Sequence, residues 1–457
     1  MSKCNNNFPT EVAQSPNTFT STLFDLSELG TKKVEVKFTL EETSNDGGLL
    51  LLKEVDNQIG LINRISECIV DKRNQSYVTH QVPSMLRQRV MQIAAGYEDA
   101  NDCNALRDDD ILKVCANQQH SLATQPTMSR FENQPGAKQL YCIAKAFVDN
   151  FIASYQSEPG IIVLDPDDTN SFTYGQQELT LFNNYYGDYC YIPLHIYEGF
   201  SGKLIATILK PGRRSKSVDV FAILKRIVSY LRKHWPNTMI ILRGDSHFCS
   251  KEMMGYTHSL QNVEFITGLT GNAVLNACAK ITVESARREY KKYGKPVKRY
   301  HSFLYQAKSW TYPERVVVKV EANSMGTNVR FIVSSLKVRS KALYEQGYCA
   351  RGAAELRIKD HKTYLLSDRM SCNSFKANQF RLFLHSAAYV LIHSLQNEVL
   401  RGTEFCKATM KSIQLKLIKV TARIKFLKTK VQIELPANFY SKNTFEKCIK
   451  VFEVLRI

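Results

Sequence analysis

Three acidic side chains that lie far apart in the sequence have the types and positions needed for phosphoryl-transfer chemistry. Asp167 and Asp245 lie in "IIVLDPDDT" and "IILRGDS", each after a short apolar run that is typical of a buried strand. Catalytic groups gather at the carboxyl ends of strands in open α/β sheets, so neighbouring strands would bring these two carboxylates together. Glu355, on a predicted helix, would complete the cluster. Carboxylate oxygens alone suit Mg²⁺, with Mn²⁺ as a substitute, and two such ions can activate a water or a 3′-hydroxyl group and stabilise the leaving oxygen of a phosphodiester.

The predicted helix that bears Glu355 also aligns several cations with it. In "YCARGAAELRIKDHK", Tyr348, Arg351, Glu355, Lys359 and Lys362 follow one another at spacings of three, four, four and three residues. At about 100° per residue, these side chains share one helical face. Glu355 would then hold a metal ion while the cations beside it bind DNA phosphates.

Each of these signals also has a simpler structural explanation. A carboxylate at a strand end is often a turn residue, and a stripe of Glu, Lys and Arg is often a solvated face that is stabilised by pairs four residues apart. The order of the elements is more specific: strand with Asp, hairpin, helix, strand with Asp, β-rich segment, helix with Glu. This order predicts an α/β fold with a ribonuclease-H-like catalytic core and a β-strand insertion.

The texture of the sequence divides the chain into five predicted regions. A mainly helical region comes first, the insertion separates two parts of the core, and a helical basic region ends the chain. The predicted regions are the helical N-terminal region (1–150), the first part of the core (151–274), the β-rich insertion (275–345), the second part of the core with the Glu355 helix (346–400) and the basic C-terminal region (401–457).

The overall charge favours a polyanionic partner. Lys and Arg total 61 against 43 Asp and Glu among 457 residues, a formal net charge of +18, and nucleic acid is the usual partner of such a protein. The 12 cysteines are scattered without a CxxC pair, which argues against a zinc ribbon and predicts free thiols in a reducing cytoplasm. No apolar run approaches the roughly 18 residues of a membrane span, so we expect neither secretion nor membrane insertion.

The Glu355 helix also matches a known signature. Its Tyr348, Arg351, Glu355 and Lys362 fit Y-x2-R-x3-E-x6-K, so the chain resembles the DDE-type transposases of bacterial insertion sequences. Several longer segments are similar to the insertion-sequence group numbered thirteen-eighty. They include "YYGDYCYIPLHIYEGFSGKLIATILKPG", "LRGDSHF" and "SFKANQFRLFLHSAAYVL", and the similarity extends from about residue 45 to 430.

The resemblance implies which acids are catalytic and what the enzyme does. Asp167, Asp245 and Glu355 would form the catalytic and metal-binding triad. The family's first acid usually precedes a Thr by two residues, which selects Asp167 over Asp165, the runner-up, in a turn that also contains Asp168. The enzyme would cut double-stranded DNA at the element's terminal inverted repeats and join the freed 3′-hydroxyl to target DNA. It would act as a homodimer in a synaptic complex, in a bacterial cytoplasm at the nucleoid.

Two further sets of basic residues are predicted to contact DNA. The stretch 401–430 carries nine Lys or Arg and one Glu among Leu, Ile and Phe. It is either a surface that follows DNA phosphates or a core helix with a solvated cationic face. Recognition of the element ends is assigned to the N-terminal region, including Arg87 and Arg89. The candidates in the C-terminal stretch are Lys411, Lys416, Lys419, Arg423, Lys425 and Lys428.

Two other functions are compatible with this sequence. A catalytically silent DNA-binding protein derived from a transposase would keep the basic surface without cleavage. A structure-specific nuclease would use the same core without strand transfer. The presence of all three acids argues against the first alternative. The β-rich insertion argues against the second, because a plain nuclease needs no such elaboration.

Overall fold

The computed structural model describes residues 24–29, 32–213 and 217–455. Helices dominate up to residue 153, and strands alternate with helices through the rest of the chain. The strands are β1 (Phe24–Leu29), β2 (Lys32–Val36), β3 (Thr43–Ser44), β4 (Ile161–Asp168), β5 (Ser171–Phe172), β6 (Leu181–Asn183), β7 (Asp188–Tyr191), β8 (Leu194–Glu198), β9 (Leu204–Ile208), β10 (Met239–Gly244), β11 (Val263–Leu269), β12 (Val297–Tyr305), β13 (Glu314–Asn323), β14 (Gly326–Ser334), β15 (Ala422–Phe426) and β16 (Val431–Glu434). The α-helices are α1 (Leu49–Ile59), α2 (Leu61–Glu67), α3 (Val82–Ala95), α4 (Asp102–Ala105), α5 (Asp110–Cys115), α6 (Gln125–Glu132), α7 (Ala137–Ala153), α8 (Ser217–His234), α9 (Lys251–His258), α10 (Ala273–Tyr293), α11 (Ser340–Ala342), α12 (Gly352–Lys359), α13 (Phe375–Ser394), α14 (Met410–Ile413) and α15 (Lys442–Leu455).

A mixed eight-stranded sheet forms the centre of the molecule, in the order β12-β13-β14-β11-β10-β4-β8-β9. Its inner strands β4, β10 and β11 are parallel, and antiparallel strands extend the sheet on both sides. The parallel strands are apolar on both faces because both faces are covered. In β4, Ile162 and Leu164 pack in one core with α8, whereas Val163 packs on the opposite face with Leu343 and Tyr344.

The structure confirms the predicted mixed α/β class and the order of elements around the acids. β4 leads to Asp167, β8 and β9 form the hairpin, α8 is the helix, and β10 leads to Asp245. β12, β13 and β14 then extend the sheet beyond β11 before the chain reaches Glu355 in α12. This is the order from which the sequence predicts a ribonuclease-H-like core with an insertion.

One long helix lies in the segment that the sequence predicts to be β-rich. α10 has 21 residues, and its fully buried side chains are Leu275, Ala279 and Ala286. These apolar side chains are few and mostly small, and polar or charged residues fill most of the remaining surface. The helical period is therefore weak, and the prediction is wrong for the part of the segment that α10 covers. It is confirmed where β12, β13 and β14 follow.

The N-terminal helices and the C-terminal region share one hydrophobic core. Leu49 of α1, Phe383 of α13 and Phe452 of α15 all belong to it. The two regions approach so closely at Gly48 that a Cβ atom there would overlap the carbonyl oxygen of Leu417. Regions 1–150 and 401–457 therefore do not pack as separate units.

The C-terminal region is only partly helical, which corrects the sequence prediction. β15 and β16 form a hairpin, and β15 also pairs with β3 from the other end of the chain. Along β15, buried Ala422 and Ile424 alternate with exposed Arg423. This period of two is that of a strand with one covered face, not of a helix.

The prediction of free thiols is wrong for one pair of cysteines. Cys68, at the end of α2, and Cys142, in α7, form a disulfide with their Cα atoms 5.5 Å apart, a normal separation for such a bond. The two helices pack side by side and bring the thiols together. Within the described ranges, no helix is both long and apolar enough to cross a membrane.

Candidate active site

Two neighbouring strands place Asp167 and Asp245 at the same edge of the sheet. β4 and β10 are parallel, with Leu164 opposite Leu242. Asp167 and Asp245 each follow three residues after these partners. Asp245 Oδ1 also accepts a hydrogen bond from the backbone N–H of His247 at 2.8 Å, which fixes the turn after β10. The two acids therefore meet as parallel pairing requires.

Glu355 reaches this edge on an irregular helical rod, which we define as Ser340–Tyr364. The rod begins as α11 and changes its helical period several times. Its later segments are a π-helix (Leu343–Tyr348), a 3₁₀-helix (Cys349–Arg351), α12 and a second π-helix (Asp360–Tyr364). π-helical segments are rare and occur often at functional sites. The regular stripe expected from the sequence is therefore distorted.

Arg351 connects two of the three acids. Its Nη1 lies 3.2 Å from Asp167 Oδ2, and its Nη2 donates to Glu355 Oε1 at 3.1 Å. Asp167 and the guanidinium group are largely buried, whereas the Glu355 side chain is 63% exposed. One cation thus holds a carboxylate from β4 and a carboxylate from α12.

The electrostatics of Asp167 show how closely the acids are grouped. Burial, together with the charges of Asp245, Asp168 and Glu355, raises the pKa of Asp167 to about 7 against the opposing charge of Arg351. An ionised Asp167 is therefore costly beside its neighbours unless a cation is present. Arg351 supplies that cation in this structure.

The two other acids of the β4 turn have different partners. Asp165 is fully buried, and its Oδ1 accepts a hydrogen bond from Arg243 Nε at 2.6 Å. Asp168 Oδ1 lies 2.6 Å from Lys210 Nζ. Among the three, Asp167 is the acid that shares Arg351 with Glu355, and the charges of both Asp245 and Glu355 act on it. The geometry therefore favours Asp167 over Asp165 as the acid that faces the other two.

Arg243 is a supporting residue that the sequence analysis missed. Besides its ion pair with Asp165, it donates from Nη1 to the carbonyl oxygen of Gly347 in the helical rod at 2.8 Å. A spacing of two residues in the sequence indicates this ion pair. Arg243 precedes Asp245 as Asp165 precedes Asp167, and side chains two residues apart share a strand face.

The acids form a chemically suitable but not preformed metal site. Among the described residues, no group of three or more His, Cys, Asp or Glu side chains is arranged to hold a metal ion. Arg351 instead lies against Asp167 and Glu355. The donors of Asp167, Asp245 and Glu355 are all carboxylate oxygens, the ligand type that suits Mg²⁺ or Mn²⁺.

The other residues of the signature have distinct positions. The side-chain hydroxyl of Tyr348 lies beside Gly268 of β11 and close to the backbone after Asp245. Lys362 Nζ donates to the backbone and side-chain oxygens of Asn170 at 2.7 and 2.8 Å, so it ties the helical rod to the turn after β4. Lys359 is exposed.

The predicted N-terminal DNA contacts are not supported by the structure. Arg89 is buried, with Nε 2.9 Å from Glu132 Oε1, and its Nη1 donates to the Tyr97 carbonyl oxygen at 3.0 Å. It stabilises the helical region from within and cannot reach DNA, so this prediction is wrong. Arg87 is partly buried and donates to Asn63 Oδ1 at 2.6 Å. Burial of these arginines depends on partners distant in sequence, which the local pattern does not show.

Several C-terminal candidates pair with acids of the same chain. Lys419 Nζ lies 2.7 Å from buried Asp46, so this lysine stabilises the junction between the two ends of the chain. Arg423 and Lys425, in β15, lie 3.9 and 3.3 Å from acids on neighbouring segments. The other candidates are exposed: Lys411, Lys416 and Lys428.

Comparison with known proteins places this arrangement in context. A family model described as "Transposase DDE domain group 1" matches residues 26–457. The chain is also similar to a solved piggyBac transposase, described as a synaptic complex with hairpin DNA, with 12% identity, a TM-score of 0.43 and coverage of 82% of this chain and 80% of that one. No curated protein matches the sequence.

Proposed function

We infer the function from one premise: the chain belongs to the family of transposase DDE domains, group 1. We propose that it is an active transposase of a bacterial insertion sequence. It would bind the terminal inverted repeats of its element, cleave the DNA there and join the freed 3′-hydroxyl to target DNA. The observation that supports catalysis is the convergence of Asp167, Asp245 and Glu355, from two parallel strands and a helix, around one arginine.

In this proposal, Asp167, Asp245 and Glu355 hold two Mg²⁺ ions. When bound, these ions would polarise the scissile phosphate and lower the pKa of the attacking hydroxyl group or water. The carboxylates would supply only oxygen ligands, and the proton of the attacking group would pass to solvent. Asp168 remains paired with Lys210 beside them and is not assigned as a ligand.

Arg351 changes partners when DNA binds in this proposal. Its guanidinium group neutralises Asp167 and Glu355 in the absence of DNA. A DNA phosphate accepts two parallel N–H bonds as a carboxylate does, so the same fork would transfer to the substrate. The carboxylates would then become available to the metal ions. Binding of DNA and binding of metal would thereby depend on each other.

The DNA backbone would run across exposed cations near this edge of the sheet. Lys359 lies on α12, one turn beyond Glu355, and Tyr348 lies on the helical rod near Asp245. Exposed Lys411 and Lys416 would extend the contact toward the C-terminal region. Such contacts position DNA without reading its sequence. A homodimer would hold the two element ends together.

Strand cleavage and joining test the proposal. Purified protein is incubated with Mg²⁺ and DNA that carries the sequences flanking its reading frame, and the nicked and joined products are separated on denaturing gels. We expect both products from the wild-type protein and neither from Asp245→Ala or Glu355→Ala. Glu446→Ala, which removes an exposed acid of α15, is the matched control and should retain activity.

The same assay, together with a native gel shift that measures DNA binding, separates the alternatives. Cleavage without joined product would indicate a nuclease, and binding of end DNA without cleavage in Mg²⁺ or Mn²⁺ would indicate a silent DNA-binding protein. Full activity of Asp245→Ala or Glu355→Ala would show that the catalytic assignment is wrong.

A further inference from the structure

The hairpin of β6 and β7 presents aromatic rings to solvent. Phe182, Tyr185 and Tyr189 have exposed fractions of 52%, 81% and 53%. Phe182 and Tyr189 are cross-strand partners with ring centroids 5.5 Å apart, and Tyr185 meets Tyr186 edge to face at 4.9 Å. We call these four side chains the aromatic hairpin. Large rings usually gain stability from burial, so a group of exposed rings indicates a binding surface.

The aromatic hairpin is continuous with the catalytic edge of the sheet. It belongs to a three-stranded sheet, β5-β7-β6, that is inserted between β4 and β8. β4 ends at Asp168, and the chain enters the inserted sheet at Ser171. Tyr186 is half-buried, whereas Tyr185 is 81% exposed. Burial and the nearby charge of Asp168 raise the pKa of Tyr186 to about 12.

A basic segment packs against the same hairpin. Asn183 Nδ2 donates to the Gly212 carbonyl oxygen at 2.8 Å, and a Cβ atom at Gly212 would overlap the Cys190 carbonyl oxygen. Arg213, the next residue, is exposed. On the hairpin itself, the Asp188 side chain accepts a hydrogen bond from the backbone N–H of Tyr189 at 2.7 Å. The surface thus combines exposed rings with an adjacent cation.

We propose that the aromatic hairpin stacks unpaired bases of the DNA strand that enters the catalytic site. This proposal depends on the proposed function, because it requires DNA as the substrate. Aromatic rings beside cations are the means by which proteins hold single strands without reading their sequence, since every base offers a π-face. The position directly after β4 would place such bases next to the phosphate facing Asp167. Strand separation near the cleaved bond would then be stabilised by the rings.

The test measures binding of the full-length protein to two DNA probes in buffer with EDTA, where no cleavage occurs. One probe is a blunt duplex, and the other is the same duplex with short unpaired thymidine arms that contain one 2-aminopurine. We expect wild-type protein to bind the forked probe more tightly and to change its 2-aminopurine fluorescence. Loss of one stacking ring corresponds to a decrease in affinity of about 5- to 150-fold.

The variants identify the rings responsible. Tyr185→Ala and Phe182→Ala should lose affinity for the forked probe and leave the blunt duplex unaffected, and this second value shows that each variant is folded. Tyr185→Phe keeps the ring and should bind as wild type. Tyr440→Ala, which removes a ring that is 69% exposed in the C-terminal region, is the matched control.

Equal affinity of the Ala variants and wild type for the forked probe, with intact cleavage of end DNA by wild type, would overturn the stacking proposal alone. The stacking proposal would also be overturned if the Ala variants lost a dimer that the wild-type protein forms in sedimentation. The rings would then contact a second copy of the chain. Wild-type protein that neither binds the probes nor cleaves end DNA would overturn the proposed function as well.

Discussion

Arg243 and Asp165, which precede Asp245 and Asp167 by two residues, form a buried ion pair with Nε 2.6 Å from Oδ1. The same guanidinium group donates to the carbonyl oxygen of Gly347 at 2.8 Å. One side chain therefore joins β4, β10 and the helical rod that carries Glu355. The three acids come from separate parts of the sequence, and this ion pair holds their supports in one arrangement.

Removal of Arg243 should destabilise the protein strongly. Arg243→Ala leaves the Asp165 carboxylate buried without its cation, which typically costs about 3–5 kcal/mol of the free energy of unfolding. Urea-induced unfolding measures the change. Arg423→Ala removes an exposed cation 3.9 Å from Glu42 and should cost less than about 1 kcal/mol. Equal losses in the two variants would contradict the role of Arg243.

Isosteric replacement should distinguish Asp167 from Asp165. Burial and neighbouring charges raise the pKa of Asp167 to about 7, so Asp167→Asn should abolish strand cleavage without loss of stability. Asp165→Asn should lower the unfolding temperature, because it breaks the buried pair with Arg243. Both quantities are measured on the same preparations. Cleavage by Asp167→Asn at the wild-type rate would exclude this carboxylate as a metal ligand.

Removal of Arg351 should increase the affinity for metal in the absence of DNA. Its guanidinium group bonds to Asp167 and Glu355, and a hydrogen bond to a charged group contributes about 1.5–3 kcal/mol. Arg351→Ala should therefore bind Mn²⁺ about tenfold or more tightly in isothermal titration calorimetry. Lys359→Ala removes an exposed cation of the same helix and is the control. Unchanged or weaker Mn²⁺ binding by Arg351→Ala would refute this role.

Buried histidines should make the fold sensitive to acid. Burial lowers the pKa of His195 and His393 to about 3, and that of His361 and His385 well below its usual value. Below about pH 6.5 the unfolded chain binds protons that the folded chain does not, so stability should fall as the pH decreases from about 6.5 toward 3. Each histidine contributes up to about 1.4 kcal/mol per pH unit.

Urea unfolding at pH 7 and pH 5 checks this dependence. His393→Gln should reduce the difference in stability between the two pH values, because one buried group no longer titrates on unfolding. His234→Gln, at an exposed position, should leave the difference as in wild type. Stability that is the same at both pH values would contradict the expectation.

The sequence predicts elements best where a local period or a strand end determines them. Asp167 and Asp245 meet because two apolar runs pair in parallel, a relationship that is visible in the sequence before any coordinates. The alternation in β15 was equally visible, but its basic residues led to the prediction of a helix. α10 has too few buried apolar side chains for its period to stand out.

Contacts between distant residues account for what the sequence did not predict. Arg89 is basic and lies in an N-terminal helix, yet Glu132 and the Tyr97 carbonyl oxygen hold it inside. Arg351 fits the predicted stripe, but its bond to Asp167 depends on how the helical rod meets β4. Composition and spacing give the chemical type of each side chain. Only the packing decides whether that side chain faces substrate, solvent or another residue.

The shared core of the two chain ends has a consequence for biosynthesis. Leu49 and Phe452 belong to one core, and Gly48 packs on Leu417. Until the segment from Leu417 to Phe452 has been synthesised, the N-terminal helices lack the surfaces that cover them. Contacts of such long sequence separation form slowly, and incomplete chains expose apolar surface. We therefore expect the N-terminal helices to become covered only after the residues from Leu417 to Phe452 have been synthesised, and a truncated protein that lacks them to be insoluble.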